Sequence, residues 1–376
     1  MGEKLLFAAS TAAHIRKFHL PYLCRLKAEG WQIHAACSGS GEGIPHTDRV
    51  LEIPFRKRMF SLDNLRAAWL LRREIRGERY TAVIVHTSLA AFFTRLAVLG
   101  LKGCPKVVNM VHGYLFDDRT PLLKRSLLLA AEKLTAPATD LLITMNQYDR
   151  EIAKKHRLGN RIESVPGVGV DFSALEAGRT GCGDELRRKL GIRPEDFVLI
   201  YPAEFSDRKM QHVLLYAMTM LPEHVVLVLP GIGDRLGACR ELAQKLGLSH
   251  RVRFPGYVGQ MTAWYEMANA AVSASRSEGL PFNVMEAMYF FLPVVASRVK
   301  GHTDLILDGK TGLLYPCGNW EACAQQIRRL IEDPTLAQAL AQAGAENVKQ
   351  YSLSAVHPKV MELYHSAVGR PTNQNK

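Results

Sequence analysis

Two glutamates, Glu278 and Glu286, stand with seven residues between them in SRSEGLPFNVMEAM, residues 275–288. The stretch follows the apolar run AAVSAS and leads into a helical pattern, so both acids fall at a strand-to-helix junction. Pro281 fits the first position of that helix, where its missing N–H would be unpaired in any case. The amides of residues 282–284 then open outward with the positive end of the helix dipole behind them, which makes an anion site suited to phosphate. An acid beside a phosphate is unfavourable unless hydroxyls donate to it. A diphosphate with a sugar on one side and a ribose on the other supplies those hydroxyls, so a nucleotide-sugar meets both requirements. The plainer reading, in which Glu278 caps the helix and Glu286 is a solvated helical acid, fits the spacing equally well.

Further chemistry-bearing residues follow other apolar runs. Arg208 and Lys209, in SDRKMQ after FVLIYPAEF, stand at a strand tip of the same sheet and can reach the same anion from the opposite side. Gly231 and Gly233 in LPGIGDR allow close backbone approach to a ligand, although a lone GxG is weak evidence. The GxGxxG fingerprint is absent after both first strands, which counts against a dehydrogenase. His112, in VHGYLF, also ends a strand; taken alone it reads as a hydrogen-bonded histidine. Seven cysteines (24, 37, 104, 182, 239, 317, 323) are scattered, with no CxxC pair and no histidine cluster at metal spacing. They read as reduced core thiols of a cytoplasmic protein, and no metal is expected.

The elements that position these residues are legible as a repeating pattern. Short β-branched runs alternate with amphipathic stretches of helical length, which predicts parallel sheets covered by helices. KLLFAAS, QIHAACS, RVLEIPF, AVIVHT, KVVNMVHG and DLLITMN come first; after EAGRTGCGDE, residues 176–185, the pattern restarts with FVLIYPAEF, VVLVLPG, RVRFPG, AAVSAS, PVVAS and GLLYP. With 376 residues, this predicts two Rossmann-like domains, 1–175 and 176–350. A C-terminal helix at about 351–368 is expected to pack back on the first, and the polar tail 369–376 to be disordered. The start, MGEKLLFAASTAAH, reads as a first buried strand rather than a leader. Apolar residues at 47% and charged residues at 22% are ordinary for a soluble chain, and no run reaches the roughly 18 apolar residues of a membrane span.

SEGLPFNVMEAM with PVVAS, DLILDGKTGLLYP, AEFSDRK, VHGYLFDD and VPGVGVD together resemble the retaining family-4 glycosyltransferases, and HIRKFHLPYLCRLKAEGWQIHAACSG is similar to the bacterial branch that builds capsular, exopolysaccharide or lipid-linked glycans. The resemblance covers nearly the whole chain. It implies the α/β GT-B fold, two Rossmann-like domains facing each other across a cleft, with acceptor binding in the first and the nucleotide-sugar donor, UDP-linked, in the second. It places Glu278 by the donor sugar, Glu286 on the ribose hydroxyls, and the amides near Asn283 and Val284 on the diphosphate, with Gly279, Phe282, Gly231, Tyr257 and Val258 lining the donor. Arg208 and Lys209 would carry the phosphate charge, His112 would face the donor sugar, and His14 and Arg16 would lie on the acceptor side. The transfer it implies rests on electrostatic stabilisation of the departing nucleoside diphosphate, with the acceptor hydroxyl attacking from the same face and domain closure excluding water. No cofactor or metal is implied. Two departures stand out. Ala12 and Ala13 replace a double glycine common in the family's first loop, and Tyr289, Phe290 and Phe291 fill a gap where a small residue and a glycine are expected.

Two alternatives share this reading of the fold: a UDP-sugar epimerase, which needs no acceptor, and a non-catalytic nucleotide-sugar binding module, which would be expected to lose the acids. Nucleic-acid binding has only the net charge of +12 in its favour and no recognisable motif. That charge is uneven, with 26 Lys and Arg against 16 Asp and Glu in residues 1–175 and 22 against 20 in the remainder. FRKRMF, LLRREIRGER and PLLKRSLLLAAEKL set cations beside apolar residues, the last reading either as a buried helix or as a membrane-facing one. With the lipid-linked acceptor implied by the resemblance, this predicts reversible peripheral binding to the anionic cytoplasmic face of the cell membrane.

Overall fold

The computed structural model describes residues 3–371 except 40, 42, 57 and 60. Lys57 of the basic FRKRMF segment, and residues 372–376 of the expected tail, therefore lie outside the described residues. The chain divides into two compact units, Met1–Gly169 with Ser354–Lys376, and Val170–Leu353.

In the first unit β1 (Lys4–Thr11), β2 (Gln32–Ser38), β3 (Arg49–Glu52), β4 (Ala82–His86), β5 (Lys106–Val111), β6 (Leu141–Thr144) and β7 (Arg161–Ser164) form one seven-stranded sheet in the order β3-β2-β1-β4-β5-β6-β7. The second holds six strands, β8 (Phe197–Ile200), β9 (Val225–Pro230), β10 (Val252–Gly256), β11 (Ala270–Ser273), β12 (Val294–Ser297) and β13 (Leu313–Tyr315), ordered β10-β9-β8-β11-β12-β13. Every pairing is parallel, with Phe7 of β1 opposite Ala35 of β2 and Ile84 of β4. Helices cover both faces of such sheets, so the central strands are buried throughout and read as unbroken apolar runs. The one strand absent from the sequence reading is β7, an edge strand whose residues RIES hold a single apolar side chain.

Each sheet winds outward from its first strand, returns, and winds the other way, which puts a topological switch point between β1 and β4 and another between β8 and β11. Loops diverge there and leave a crevice beyond the strand ends. Arg208 and Lys209 follow β8 and Glu278 follows β11; His14 follows β1 and His86 closes β4.

The units part at Gly169 and Val170 rather than in residues 176–185. Phe172 is the reason: its ring stacks on Tyr289 at 4.5 Å, and with the helices Phe172–Ala177 and Gly183–Lys189 it belongs to the second unit. The helix Leu353–Val368, from Ser354 onward, belongs to the first, where His357 stacks on Tyr22 at 4.9 Å and His365 Nε2 lies 2.7 Å from Glu29 Oε2. Cys37, Cys239 and Cys323 are buried, but Cys24, Cys104 and Cys182 are exposed, so only part of the cysteine set is core; all seven are free thiols.

Gly231 and Gly233 have a structural reason for lacking a side chain. A Cβ on Gly231, at φ +149°, would lie 2.0 Å from the Ala203 carbonyl oxygen, and one on Gly233 2.3 Å from that of Phe205. The close approach is thus between the loops after β8 and β9. Gly231→Ala must open that contact and adopt a disfavoured backbone, so it should cost roughly 3 kcal/mol and lower the urea midpoint of the full chain. A midpoint unchanged from wild type would contradict this packing.

Candidate functional site

The loops after β8 and β11 are joined by backbone and side chain. Arg276 N–H donates to the Arg208 carbonyl at 2.7 Å, and the Tyr201 hydroxyl, buried at the end of β8, lies 2.8 Å from Ser275 Oγ and donates to the Lys209 carbonyl at 3.1 Å. This frame delivers Glu278, only 7% exposed, between both cations: Lys209 Nζ lies 2.6 Å from Oε1, Arg208 Nη1 2.8 Å from Oε2, and Ser275 Oγ donates to Oε1 at 2.5 Å. Burial alone would raise the Glu278 pKa, but Lys209 and then Arg208 outweigh it and bring it down to about 2. For Lys209 burial is the stronger influence and pulls the ammonium pKa below its usual value; for Arg208 the carboxylate more than offsets burial, and its pKa is raised. The carboxylate is therefore ionised at neutral pH and committed to the two cations. Of these Arg208 is half exposed and Lys209 nearly buried.

Behind this triad sits His302, which the sequence reading passed over. Its Nε2 lies 3.0 Å from Ser273 Oγ and its Nδ1 2.7 Å from the Ser297 carbonyl, and burial lowers its pKa to about 4, so a neutral imidazole ties β11 to β12. Gly301, at φ +81°, is required beside it: a Cβ there would stand 2.8 Å from both Glu278 Cβ and the Gly279 carbonyl oxygen.

The helix Phe282–Tyr289 begins one residue later than its proline suggests, because Pro281 takes extended torsions as the N-cap. Nor are all three first-turn amides open: Val284 N–H donates to the Pro281 carbonyl at 3.2 Å, closing a local turn. Asn283 is held by its side chain, Nδ2 donating to the Pro202 carbonyl at 3.0 Å. Glu286 accepts from the buried Tyr265 hydroxyl at 2.7 Å. The ring of Tyr265 packs against Phe290 at 5.4 Å, so two of the unexpected aromatics, Tyr289 on Phe172 and Phe290 on Tyr265, form the wall behind this helix. Phe291 occupies the left-handed region at φ +56°, where a glycine is the unstrained choice, and is exposed. Tyr257, exposed, and Val258 follow β10, and the Gly231 amide donates to the Gly256 carbonyl at 2.7 Å.

In the first unit, His112 follows β5 and joins a cluster of four histidines drawn from three separate stretches of the sequence. Its Nε2 lies 3.1 Å from His86 Nδ1, His14 Nε2 lies 3.3 Å from His19 Nε2, and the His19 and His86 rings are 3.8 Å between centroids. Burial holds His14 down at about 4 and keeps His19, His86 and His112 well below the ordinary imidazole value, so all four are neutral at pH 7. Arg16 is turned to the Gly43 carbonyl, with Nη2 donating at 2.5 Å.

A carboxylate whose folded pKa is depressed contributes stability that is complete above its unfolded value, near 4.3, and is lost as the pH falls through about 2. Glu278→Gln, which leaves Lys209 buried without its counter-ion, should cost about 3–5 kcal/mol at pH 7. In urea titrations the gap between the variant and wild type should narrow steadily from pH 5 to pH 2. A gap independent of pH would mean that the charge of Glu278 contributes nothing.

These arrangements have counterparts in known proteins. Residues 183–347 match the family described as glycosyl transferases group 1, and residues 22–172 match glycosyltransferase family 4. EpsD of Bacillus subtilis (strain 168), a protein assigned to the glycosyltransferases, is 32% identical over 379 residues, covering 100% of this chain and 99% of its own. An Escherichia coli UDP-Gal:alpha-D-GlcNAc-diphosphoundecaprenol alpha-1,3-galactosyltransferase is 23% identical over 90% of each chain. Among solved structures, Anabaena Alr3699/HepE in complex with UDP superposes with a TM-score of 0.77 at 18% identity, over 97% of this chain and 100% of that one. With two parallel Rossmann-like sheets and family matches in both halves, the chain belongs to the family-4 glycosyltransferases and has the two-domain GT-B fold.

Proposed function

We propose that this glycosyltransferase takes a sugar from a UDP-linked donor and passes it, with retention at the anomeric carbon, to a lipid-linked or growing polysaccharide acceptor in surface-glycan synthesis. The observation that carries the reading is the Arg208–Glu278–Lys209 triad at the second switch point, with Glu286 on the adjoining helix. Arg208, Lys209 and the amide of Asn283 neutralise the charge that grows on the leaving diphosphate, each such donor being worth roughly 3 kcal/mol. Glu278 sets where the two cations stand, and its remaining lone pairs accept from a donor-sugar hydroxyl. Glu286, oriented by Tyr265, accepts from the ribose. Side chains and helix amides suffice for the leaving group, so transfer needs no metal. Relatives support the choice of partners: HepE is solved with UDP-glucose, and the name of the Escherichia coli relative carries both a UDP-sugar and a diphosphoundecaprenol-linked acceptor.

Calorimetry separates the assigned roles. Wild type should bind UDP-sugars; Glu286→Ala should weaken UDP and uridine alike by about tenfold or more, whereas Arg208→Ala should weaken UDP and leave uridine unchanged. Lys209→Ala should also lower kcat by roughly a hundredfold. Absence of binding to UDP, GDP and ADP sugars alike overturns the donor assignment.

We also propose that the first unit docks peripherally on the anionic cytoplasmic face of a membrane. No helix among the described residues is long and apolar enough to cross one. The helix Leu122–Thr135 is not buried: Leu122 and Leu123 are 80% and 85% exposed, Leu127 and Leu134 are exposed too, and Lys124, Arg125 and Lys133 lie among them. The helix Leu62–Glu78 likewise exposes Leu62, Leu65 and Trp69. Leucines of this kind enter the headgroup region while nearby cations gain about 1 kcal/mol each from anionic lipid. The protein should sediment with anionic but not neutral liposomes and be released by salt, and Leu122→Ser with Leu123→Ser should abolish sedimentation. Protein remaining in the supernatant with anionic vesicles at low salt removes the membrane claim and leaves the transfer claim standing.

A further inference from the structure

We infer that His14, His19 and His112 form a binding site for a divalent transition-metal ion of the zinc class. One ring nitrogen from each lies within 4.8 Å of the others, with His19 buried and His14 and His112 partly open. A tetrahedral ion with Zn–N bonds of about 2.0–2.1 Å holds neighbouring ligand nitrogens about 3.3 Å apart. His14 Nε2 and His19 Nε2 already stand at 3.3 Å, so the sharpest edge of the site needs no rearrangement. The third nitrogen has to move inward by an ångström or so, and His112 lies in the loop that follows β5, not within a strand.

His19 Nδ1 and His86 Nε2 are fully buried with no hydrogen-bond partner among the described residues, so the four histidines do not close into one hydrogen-bonded network. His86, through its Nδ1 at 3.1 Å from His112 Nε2, fixes which nitrogen His112 can offer, and Phe7 stacks on His86 at 4.5 Å to hold that ring in turn. Nitrogen-only ligation selects zinc, cobalt, nickel or copper over magnesium or calcium. The set contains no carboxylate, so the ion keeps its double charge, and the open side between His14 and His112 is left for water or an anionic group. The site lies at the switch point of the first sheet, where a crevice is expected, and it does not depend on the sugar-transfer reading.

The test uses the full chain without a histidine tag, stripped with a chelator and titrated with Co2+ and then with Zn2+ against a chromophoric chelator. One equivalent should bind, with the visible absorption of a low-symmetry nitrogen-ligated Co2+ and no thiolate charge-transfer band. His14→Gln, on a partly exposed ring, and His19→Gln should each weaken binding at least a hundredfold, and His86→Gln by about 10–100-fold. Circular dichroism checks that each variant is folded; should one not fold, the stoichiometry and spectrum of wild type decide. The site is refuted by absence of stoichiometric binding, by binding that survives both His14→Gln and His19→Gln, or by a thiolate band placing the ion on cysteines.

Discussion

A carboxylate buried between an ammonium and a guanidinium is the constraint on which the strand ends of the second unit depend. Taking Glu278 and Lys209 out of water costs several kcal/mol for each ion, and their attraction offsets this only when the remaining hydrogen-bonding positions are also filled. Ser275 Oγ and Arg208 take further positions on the carboxylate, and the Tyr201 hydroxyl, between Ser275 Oγ and the Lys209 carbonyl, braces the loops that carry them. The glycines fall into place around the same requirement: Gly301 makes room for Glu278, while Gly231 and Gly233 let neighbouring loops close over the β8 strand end. An apolar replacement of similar volume could hold such a loop at less cost, so the charges are better explained by a ligand that needs positive charge fixed in position.

The two sheets solve a common problem with different chemistry. Both wind so that a crevice opens between the first strand and the one that starts the return, and in both the residues next to it are polar, buried and mutually engaged. In the second unit these are opposite charges, which preorganise positive potential for an anion. In the first they are imidazoles kept neutral by burial, which can accept, donate or ligate without carrying charge.

Much of this was legible in the sequence because parallel strands buried on both faces leave unbroken apolar runs, and residues that follow such runs are the candidates for chemistry. Glu278, Arg208, Lys209 and His112 were singled out in that way, whereas Glu286 came from its spacing to Glu278 and the role expected of His112 from the family resemblance alone. β7 was not, because an edge strand need not be apolar, and RIES carries no alternation to detect. His19 and His86 were invisible for a different reason: each is a single histidine within an ordinary stretch, and only the order β2-β1-β4-β5 brings them together. His302 and Tyr265 act through a partner, and that dependence has no local signature. The turn bond from Val284 to Pro281 shows the same limit at atomic scale, since a helix start read from proline does not reveal which amides the first turn consumes.

The central claim is that the fixed charges of the second unit receive the diphosphate of a nucleotide-sugar. A crystal structure of the protein soaked with UDP tests it most directly. The account predicts the diphosphate within hydrogen-bonding distance of Arg208, Lys209 and the Asn283 amide, and the ribose hydroxyls on Glu286. UDP bound elsewhere, or a diphosphate that leaves Arg208 and Lys209 paired with Glu278 alone, would contradict it.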